Sequence, residues 1–406
     1  MVRDKLDLKQ ILVILLIVSS IFSHLLFLPK LAYKLQLTEI VFLILSLFFV
    51  YKTRFDSIRI TGMDKSFIFF ILILILNLTM HFEKSVLTDI IGFLYLVVLY
   101  FLLSKVLNSF NKEIKALILK YTADIGFWIL IGIGILGFLL YYFLGYSKFV
   151  LIYHDYPYFG DVFRIKGFSY SPNLYISLLS FFTILKYSFS RLNFYHIFAV
   201  FTIAFMSLTK EALILISILF AIELYRKLAY KKLALALVIL SGLIYVILSF
   251  IIFTTKTVKN NIESRKVFTD NPVYQYNKLK IYPTTYFEVI KSGVKMTKEN
   301  ALAGVGLGNF RKELKIYKQN GIYPQYFQTY DALDSYTGLA SQLGIIYFVF
   351  LLSLIANIRK VVNQVPTNLR FPLILFLIYI FFESFALGNY HFRHYYIFLA
   401  ILNSYD

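Results

Sequence analysis

Apolar runs of bilayer-crossing length, each closed by charged residues, recur along most of the chain and predict membrane-spanning helices. They lie near residues 8–28, 35–51, 66–81, 86–104, 121–145, 167–185, 192–208, 211–225, 233–255, 336–357, 371–388 and 390–403. Several are short enough to need a thinned bilayer or a broken helix. The first run, behind Arg3, Lys5 and Lys9, is longer than a signal-peptide core and lacks a small-x-small cleavage site, so it reads as an uncleaved first span. Residues 256–335 interrupt the pattern with a soluble-looking, Tyr- and Lys-rich sequence containing Pro272, Pro283 and Pro324, and helices are predicted near 285–298 and 310–319. The predicted fold is an all-α polytopic integral membrane protein of about 12 transmembrane helices. Residues 1–255 hold the first nine, 256–335 one long extracytoplasmic loop, and 336–406 the last three. A loop of that length on a rigid scaffold is commonly functional.

Composition agrees with this pattern. Of 406 residues 59% are hydrophobic and 16% charged, against about 25% charged in soluble chains, and the mean hydropathy is +0.72. These values argue against a soluble enzyme, and the spans leave no room for a large soluble catalytic domain. A net charge of +19 would suggest nucleic acid in a soluble protein. Here most of the excess sits in short loops, beside anionic headgroups, so membrane lipid and not nucleic acid is the expected partner. Lys52, Arg54, Arg59 and Lys65, then Lys105, Lys112, Lys115 and Lys120, then Lys186 and Arg191, then Arg226, Lys227, Lys231 and Lys232, then Arg359, Lys360 and Arg370 all fall on one side. The positive-inside rule makes that side cytoplasmic, with both termini, and places residues 146–166 and 256–335 outside. The chain has no Cys, which removes disulfides, thiolate metal sites and Cys nucleophiles.

Candidate chemistry gathers on the predicted outer side. Gly304-Val305-Gly306-Leu307-Gly308-Asn309-Phe310 has the look of a nucleotide-binding glycine loop, but no strand-turn-helix unit or Lys-Ser/Thr pair accompanies it. It is either a flexible turn or a close backbone approach to a ligand or the membrane surface. Lys210 and Glu211 split the apolar run from 192 to 225 into a hairpin whose tip is Ser207-Leu208-Thr209-Lys210-Glu211. A charged pair there needs water or an anionic ligand unless it is a simple ion-paired turn. Arg164 and Lys166 precede Gly167-Phe168-Ser169-Tyr170-Ser171-Pro172-Asn173; an Arg at that place either contacts phosphate or snorkels at the interface. Glu383 lies within the eleventh predicted span, where a carboxylate is a functional candidate or a partner of Lys210 or Arg393. The His391/His394 pair reads as interfacial, and no metal or cofactor is expected. Arg164, Lys210, Arg265 and Arg311 thus share one face, which suits the pyrophosphate of a lipid carrier but equally a channel mouth or transporter vestibule.

Four blocks in order give a resemblance. Arg164, Gly167, Phe168, Pro172 and Asn173, the tip Thr209-Lys210-Glu211-Ala212, the glycine block Ala301–Phe310, and Leu333-Asp334-Ser335-Tyr336 followed by Leu343-Gly344 resemble motifs of the bacterial O-antigen ligase and polymerase superfamily, in particular Wzy-type polysaccharide polymerases. The likeness covers about residues 164–352; the first half matches by hydropathy alone. Leu333 stands where the ligases carry a His, Lys210 replaces an Arg, and a further loop Arg of the family has no clear counterpart, its place being assigned to Arg265.

The resemblance implies a metal-independent, GT-C-like membrane glycosyltransferase acting on undecaprenyl-pyrophosphate-linked oligosaccharide at the outer face of a bacterial inner membrane, with a chain-length regulator and a flippase as partners. On that reading Arg164 and Lys210, then Arg265 and Arg311, hold pyrophosphate. Asp334 is the first candidate base, with Asp331 and Glu383 behind it, and Gly304, Gly306, Gly308 and Tyr336 shape the loop. The alternatives are an O-antigen ligase, disfavoured by Leu333, and a polysaccharide or ion transporter, which should show internal repeats that the sequence lacks.

Overall fold

The structure, a computed structural model, describes residues 6–22, 36–52, 59–156, 160–190, 192–228, 230–254, 272, 274–324 and 331–406. Fifteen α-helices lie among them. They are α1 (Leu8–Ser19, prolonged by a 3-10 turn, Ser20–Phe22), α2 (Leu37–Lys52), α3 (Gly62–Met80), α4 (Lys84–Asn108), α5 (Lys112–Leu144), α6 (Pro172–Phe189), α7 (Phe194–Ser207) and α8 (Glu211–Leu228). Then come α9 (Lys231–Phe250), α10 (Thr285–Glu299), α11 (Phe310–Gln319), α12 (Ser335–Leu343), α13 (Ile346–Gln364), α14 (Thr367–Glu383) and α15 (Arg393–Asn403). Every predicted span contains a helix, and the two loop helices stand where the sequence predicts them.

Five helices, α3, α4, α5, α9 and α13, are long and apolar enough to cross a membrane. Their outer flanks carry exposed Leu72, Leu136, Leu240 and Leu352, an apolar surface too large for water and suited to lipid. The chain is a helical, membrane-embedded protein. Not every predicted span has spanning length. α15 has 11 residues, reaches roughly 16 Å at 1.5 Å per residue, and is buried nearly throughout inside the bundle.

The helical fold carries two small sheets in its connections: β1 (Val150–Tyr156) pairs antiparallel with β2 (Gly160–Ile165), and β3 (Ile251–Thr254) pairs with β5 (Leu279–Pro283), which also pairs with β4 (Tyr274–Tyr276). Two of the predicted spans end differently from the expectation. β3 takes the end of the predicted 233–255 span, where Ile251, Ile252 and Thr254 favour extended backbone. The predicted 336–357 span is broken at Gly344, whose φ of +79° no branched residue adopts readily. There the Ile345 amide leaves the helix to donate to Ala301 O at 2.7 Å, so the end of the long loop is fastened into the break.

Buried polar nodes fix the register of the bundle. At the end away from the long loop, Asp64 pairs with Lys105 and accepts from Tyr100 Oη at 3.0 Å and Asn403 Nδ2 at 3.1 Å, tying α3, α4 and α15. At the loop end a larger polar network runs between α6, α12, α14 and α15.

Candidate functional site

The cationic edge of the site is built at the α7–α8 tip. Leu208 turns the chain with φ +46°, and the Thr209 hydroxyl accepts from Ala212 N at 3.3 Å to start α8. This geometry leaves Lys210 exposed and buries Glu211. Lys210 Nζ donates to Leu248 O and lies 6.0 Å from the centroid of the Tyr286 ring. Arg164, on β2, donates through Nε to Ser207 O at 3.0 Å and through Nη2 to Asn173 Oδ1 at 3.1 Å. It therefore braces the hairpin against both the α7 end and the first turn of α6, which Ser171 caps ahead of Pro172.

One helical turn further into the bundle, Ser177 follows Asn173 on the same face of α6. The Ser177 hydroxyl lies 3.1 Å from Glu383 Oε2, 2.8 Å from His394 Nε2 and 3.0 Å from Tyr395 Oη. Glu383 is fully buried, at 0% exposure. It also accepts from Tyr379 Oη at 3.2 Å and Asn389 Nδ2 at 3.1 Å. Ser177 has one proton and two lone pairs. All three of its contacts are satisfied when His394 and Tyr395 donate to it and it donates to Glu383, which fixes His394 as the Nε2–H tautomer. Glu383 then collects three hydrogen bonds from neutral donors. Glu211, held by Tyr245 Oη at 3.2 Å, lies within electrostatic reach of both Arg164 and Glu383.

Asn389 carries the network to the long loop. Its Oδ1 accepts from Ser335 Oγ at 2.6 Å and Ser384 Oγ at 3.0 Å, and its amide donates to Ser335 Oγ at 2.9 Å. Beside Ser335, Asp334 caps α12: Oδ2 accepts from Thr337 N and Oδ1 from Thr337 Oγ1, each at 2.6 Å. The backbone amides of Tyr336 and Gly338 also act on this carboxyl. Asp334 is only 2% exposed. Burial raises its carboxyl from 3.8 to about 6, against the opposing pull of the Thr337 hydrogen bonds. Tyr336 packs on Phe385, with ring centroids 4.7 Å apart, and donates to Phe381 O at 3.0 Å.

Not all expected residues join this cluster. Arg311 stands apart, exposed on the flank of α11 beside the face that buries Phe310, Leu314 and Tyr317. Asp331 is exposed, and Arg265 lies outside the described residues. Glu383 is not the partner of Arg393, which pairs with Glu39. The His pair is not uniformly interfacial either, since His394 is 1% exposed inside the network. Ser177, Tyr245, Tyr379, Asn389 and Tyr395 are members the sequence analysis did not single out. Their signal was the i,i+4 spacing Asn173/Ser177 and Tyr379/Glu383 on apolar helices. Among the described residues no three His, Asp or Glu side chains are placed to share a metal ion.

The glycine block makes a close backbone approach to the protein itself. Val305 N and Gly306 N donate to Ser341 O and Gln342 O at 2.9 and 3.1 Å. Leu307 N donates to Asn77 Oδ1 at 2.9 Å, and Gly308 N to Gln342 Oε1 at 2.7 Å. The block thus clamps the α10–α11 layer onto α3, α4 and α12. Gly304 combines φ +66° with a missing Cβ that would overlap the Gln342 carbonyl. Gly304→Ala is expected to cost about 1–3 kcal/mol from backbone strain alone, read as a lower unfolding midpoint of the purified protein in detergent.

No protein-family model matches the chain, and no curated protein matches it. Fold and site together define a membrane-embedded helical protein with a cation-edged, carboxylate-containing polar network at one end of its bundle.

Proposed function

We propose that the chain is a polysaccharide polymerase of Wzy type, a glycosyltransferase joining undecaprenyl-pyrophosphate-linked repeat units at the outer face of a bacterial cytoplasmic membrane, with about twelve crossings and both termini inside. One observation carries the reading: the tip that holds Arg164 and Lys210 reaches Glu383 electrostatically through Glu211, and Ser335, next to Asp334, reaches Glu383 through Asn389, so three of the four resembling blocks converge on that residue. The glycine block supports it indirectly by anchoring the loop that ends at Asp334.

In this mechanism the growing chain is the donor. The bond between its anomeric carbon and the pyrophosphate oxygen breaks, and the leaving pyrophosphate takes the bonding electrons. The non-reducing-end hydroxyl of the incoming unit forms the new bond to that carbon, and its proton passes to a carboxylate. Pyrophosphate is already a good leaving group, so the protein's work is to stabilise departing charge and orient the acceptor. Arg164 and Lys210 serve the first task from the α7–α8 tip. Asp334 serves as base because it stands at the start of α12 beside Ser335, which Asn389 joins to Glu383, and burial holds its proton affinity close to neutral pH. Glu383, deeper and already accepting three hydrogen bonds, holds Ser177 and Asn389 in place. Tyr side chains of the loop offer stacking faces to sugars, and apolar grooves between helices take the polyprenyl tail.

The test is the glycan profile of a deletion strain, resolved by length beside its parent and strains carrying Lys210→Ala or Arg164→Ala. Glycans capped at a single repeat unit are expected. Full-length polymer left on its lipid carrier would mean a ligase instead, and an unchanged profile would overturn both.

A further inference from the structure

The α10–α11 layer carries a feature that glycosyl transfer does not use. From residue 285 to 319 there are seven Lys and Arg against three Glu, and the cations are not scattered. On α11, Arg311, Lys315 and Lys318 follow i, i+4, i+7 spacing and form one stripe, while Phe310, Leu314 and Tyr317 occupy the buried face. On α10, Lys291, Lys295 and Lys298 repeat that spacing opposite buried Val289, Ser292, Gly293 and Met296. By sequence α11 carries Arg311, Lys312, Lys315 and Lys318 against Glu313, and α10 carries Lys291, Lys295 and Lys298 against Glu288 and Glu299, so the larger net positive charge lies on α11.

Apolar residues fix the height of this layer against the bilayer. Leu302, in the turn between the two helices, is 82% exposed. It adjoins Ile345 through the Ala301–Ile345 hydrogen bond. Ile345, Val349 and Leu352 then run down the outside of α13 as an exposed stripe of the same spacing. On the other flank, Phe82 is 79% exposed at the α3–α4 turn, beside Glu83, which pairs with Lys312 of α11 at 2.9 Å. Apolar fingertips continuous with a lipid-facing helix, with a basic stripe beside them, are the pattern of a surface lying in the headgroup layer.

We propose that α10 and α11 form an interfacial platform binding anionic phospholipid headgroups, with the Arg311-Lys315-Lys318 stripe as its main contact. The platform, clamped by the glycine block, would hold the long loop at a fixed height over the bilayer. The inference rests on membrane embedding and not on the polymerase reading.

The test uses the full chain in nanodiscs of phosphatidylcholine or of phosphatidylcholine with phosphatidylglycerol, with amide hydrogen exchange read across residues 285–319. Each cation near an anionic surface contributes about fivefold in partitioning. Exchange in this segment is therefore expected to slow at least about fivefold with phosphatidylglycerol and to recover in high salt. Arg311→Gln/Lys315→Gln/Lys318→Gln should abolish the slowing, whereas Lys231→Gln/Lys232→Gln at the other end of the bundle should leave it intact. Equal exchange in both lipids would overturn the proposal. So would equal slowing by a soluble acidic polysaccharide or inorganic phosphate in pure phosphatidylcholine discs. Because all three substituted side chains lie off the buried face of α11, an unchanged unfolding midpoint of the triple variant separates lost binding from lost folding.

Discussion

Asp334→Asn is expected to reduce the rate of chain elongation by about 10²- to 10⁴-fold, the usual contribution of a general base, while leaving the protein folded. Asn caps helices about as well as Asp, so the hydrogen bond to Thr337 N that starts α12 survives. Asp334→Ala loses the cap as well and should add about 1 kcal/mol of destabilisation. The pH dependence gives an independent check. A base works as its carboxylate, so wild-type elongation should be level above about pH 6 and fall as the pH drops through that value. Stability runs the other way, because burial favours the neutral carboxyl. Its contribution is fully present below the ordinary value of 3.8 and is lost as the pH rises through about 6. The Asn variant should lose both dependences. Elongation at the wild-type rate in Asp334→Asn would remove this residue from the chemistry.

Glu383→Ala is expected to give the largest stability loss of any single change in the network. It strips an acceptor from Ser177, Tyr379 and Asn389, all buried, and leaves a cavity. Unsatisfied buried donors cost about 1–3 kcal/mol each and neighbours relax in part, so a total of about 3–5 kcal/mol is expected from these losses. Glu383→Gln keeps carbonyl acceptance and should cost far less. Thermal unfolding of both variants in the same detergent distinguishes them. If the Gln variant is stable yet elongates slowly while Asp334→Asn elongates at the wild-type rate, Glu383 and not Asp334 takes the proton.

Much of this architecture was legible in the sequence because hydrophobic burial sets a length and a period that apolar runs display directly. The helices at 285–299 and 310–319 were legible for the same reason, each alternating apolar and basic faces over several turns. What the sequence hid was decided by contacts between distant segments. Gly344 breaks an apolar run only because Ala301 and Leu302 come to lie against it. β1 and β2 form where the connection between α5 and α6 folds back on itself and no periodicity marks it. Ser177, Asn389 and His394 look like ordinary polar residues in or beside apolar helices until α6, α14 and α15 bring them onto Glu383. The glycine block misled in a different way: its left-handed turns and free amides suit a ligand in principle, and here Asn77 and Gln342 take them.

The central claim is most directly tested with purified protein in liposomes, supplied with the single-unit lipid-linked glycan extracted from a deletion strain, the products then being resolved by length. The account predicts a ladder of repeat-unit multiples with one undecaprenyl pyrophosphate released per bond formed, lost in Asp334→Asn and in Arg164→Ala. Single units recovered intact from a folded wild-type protein, with no carrier released, would contradict it.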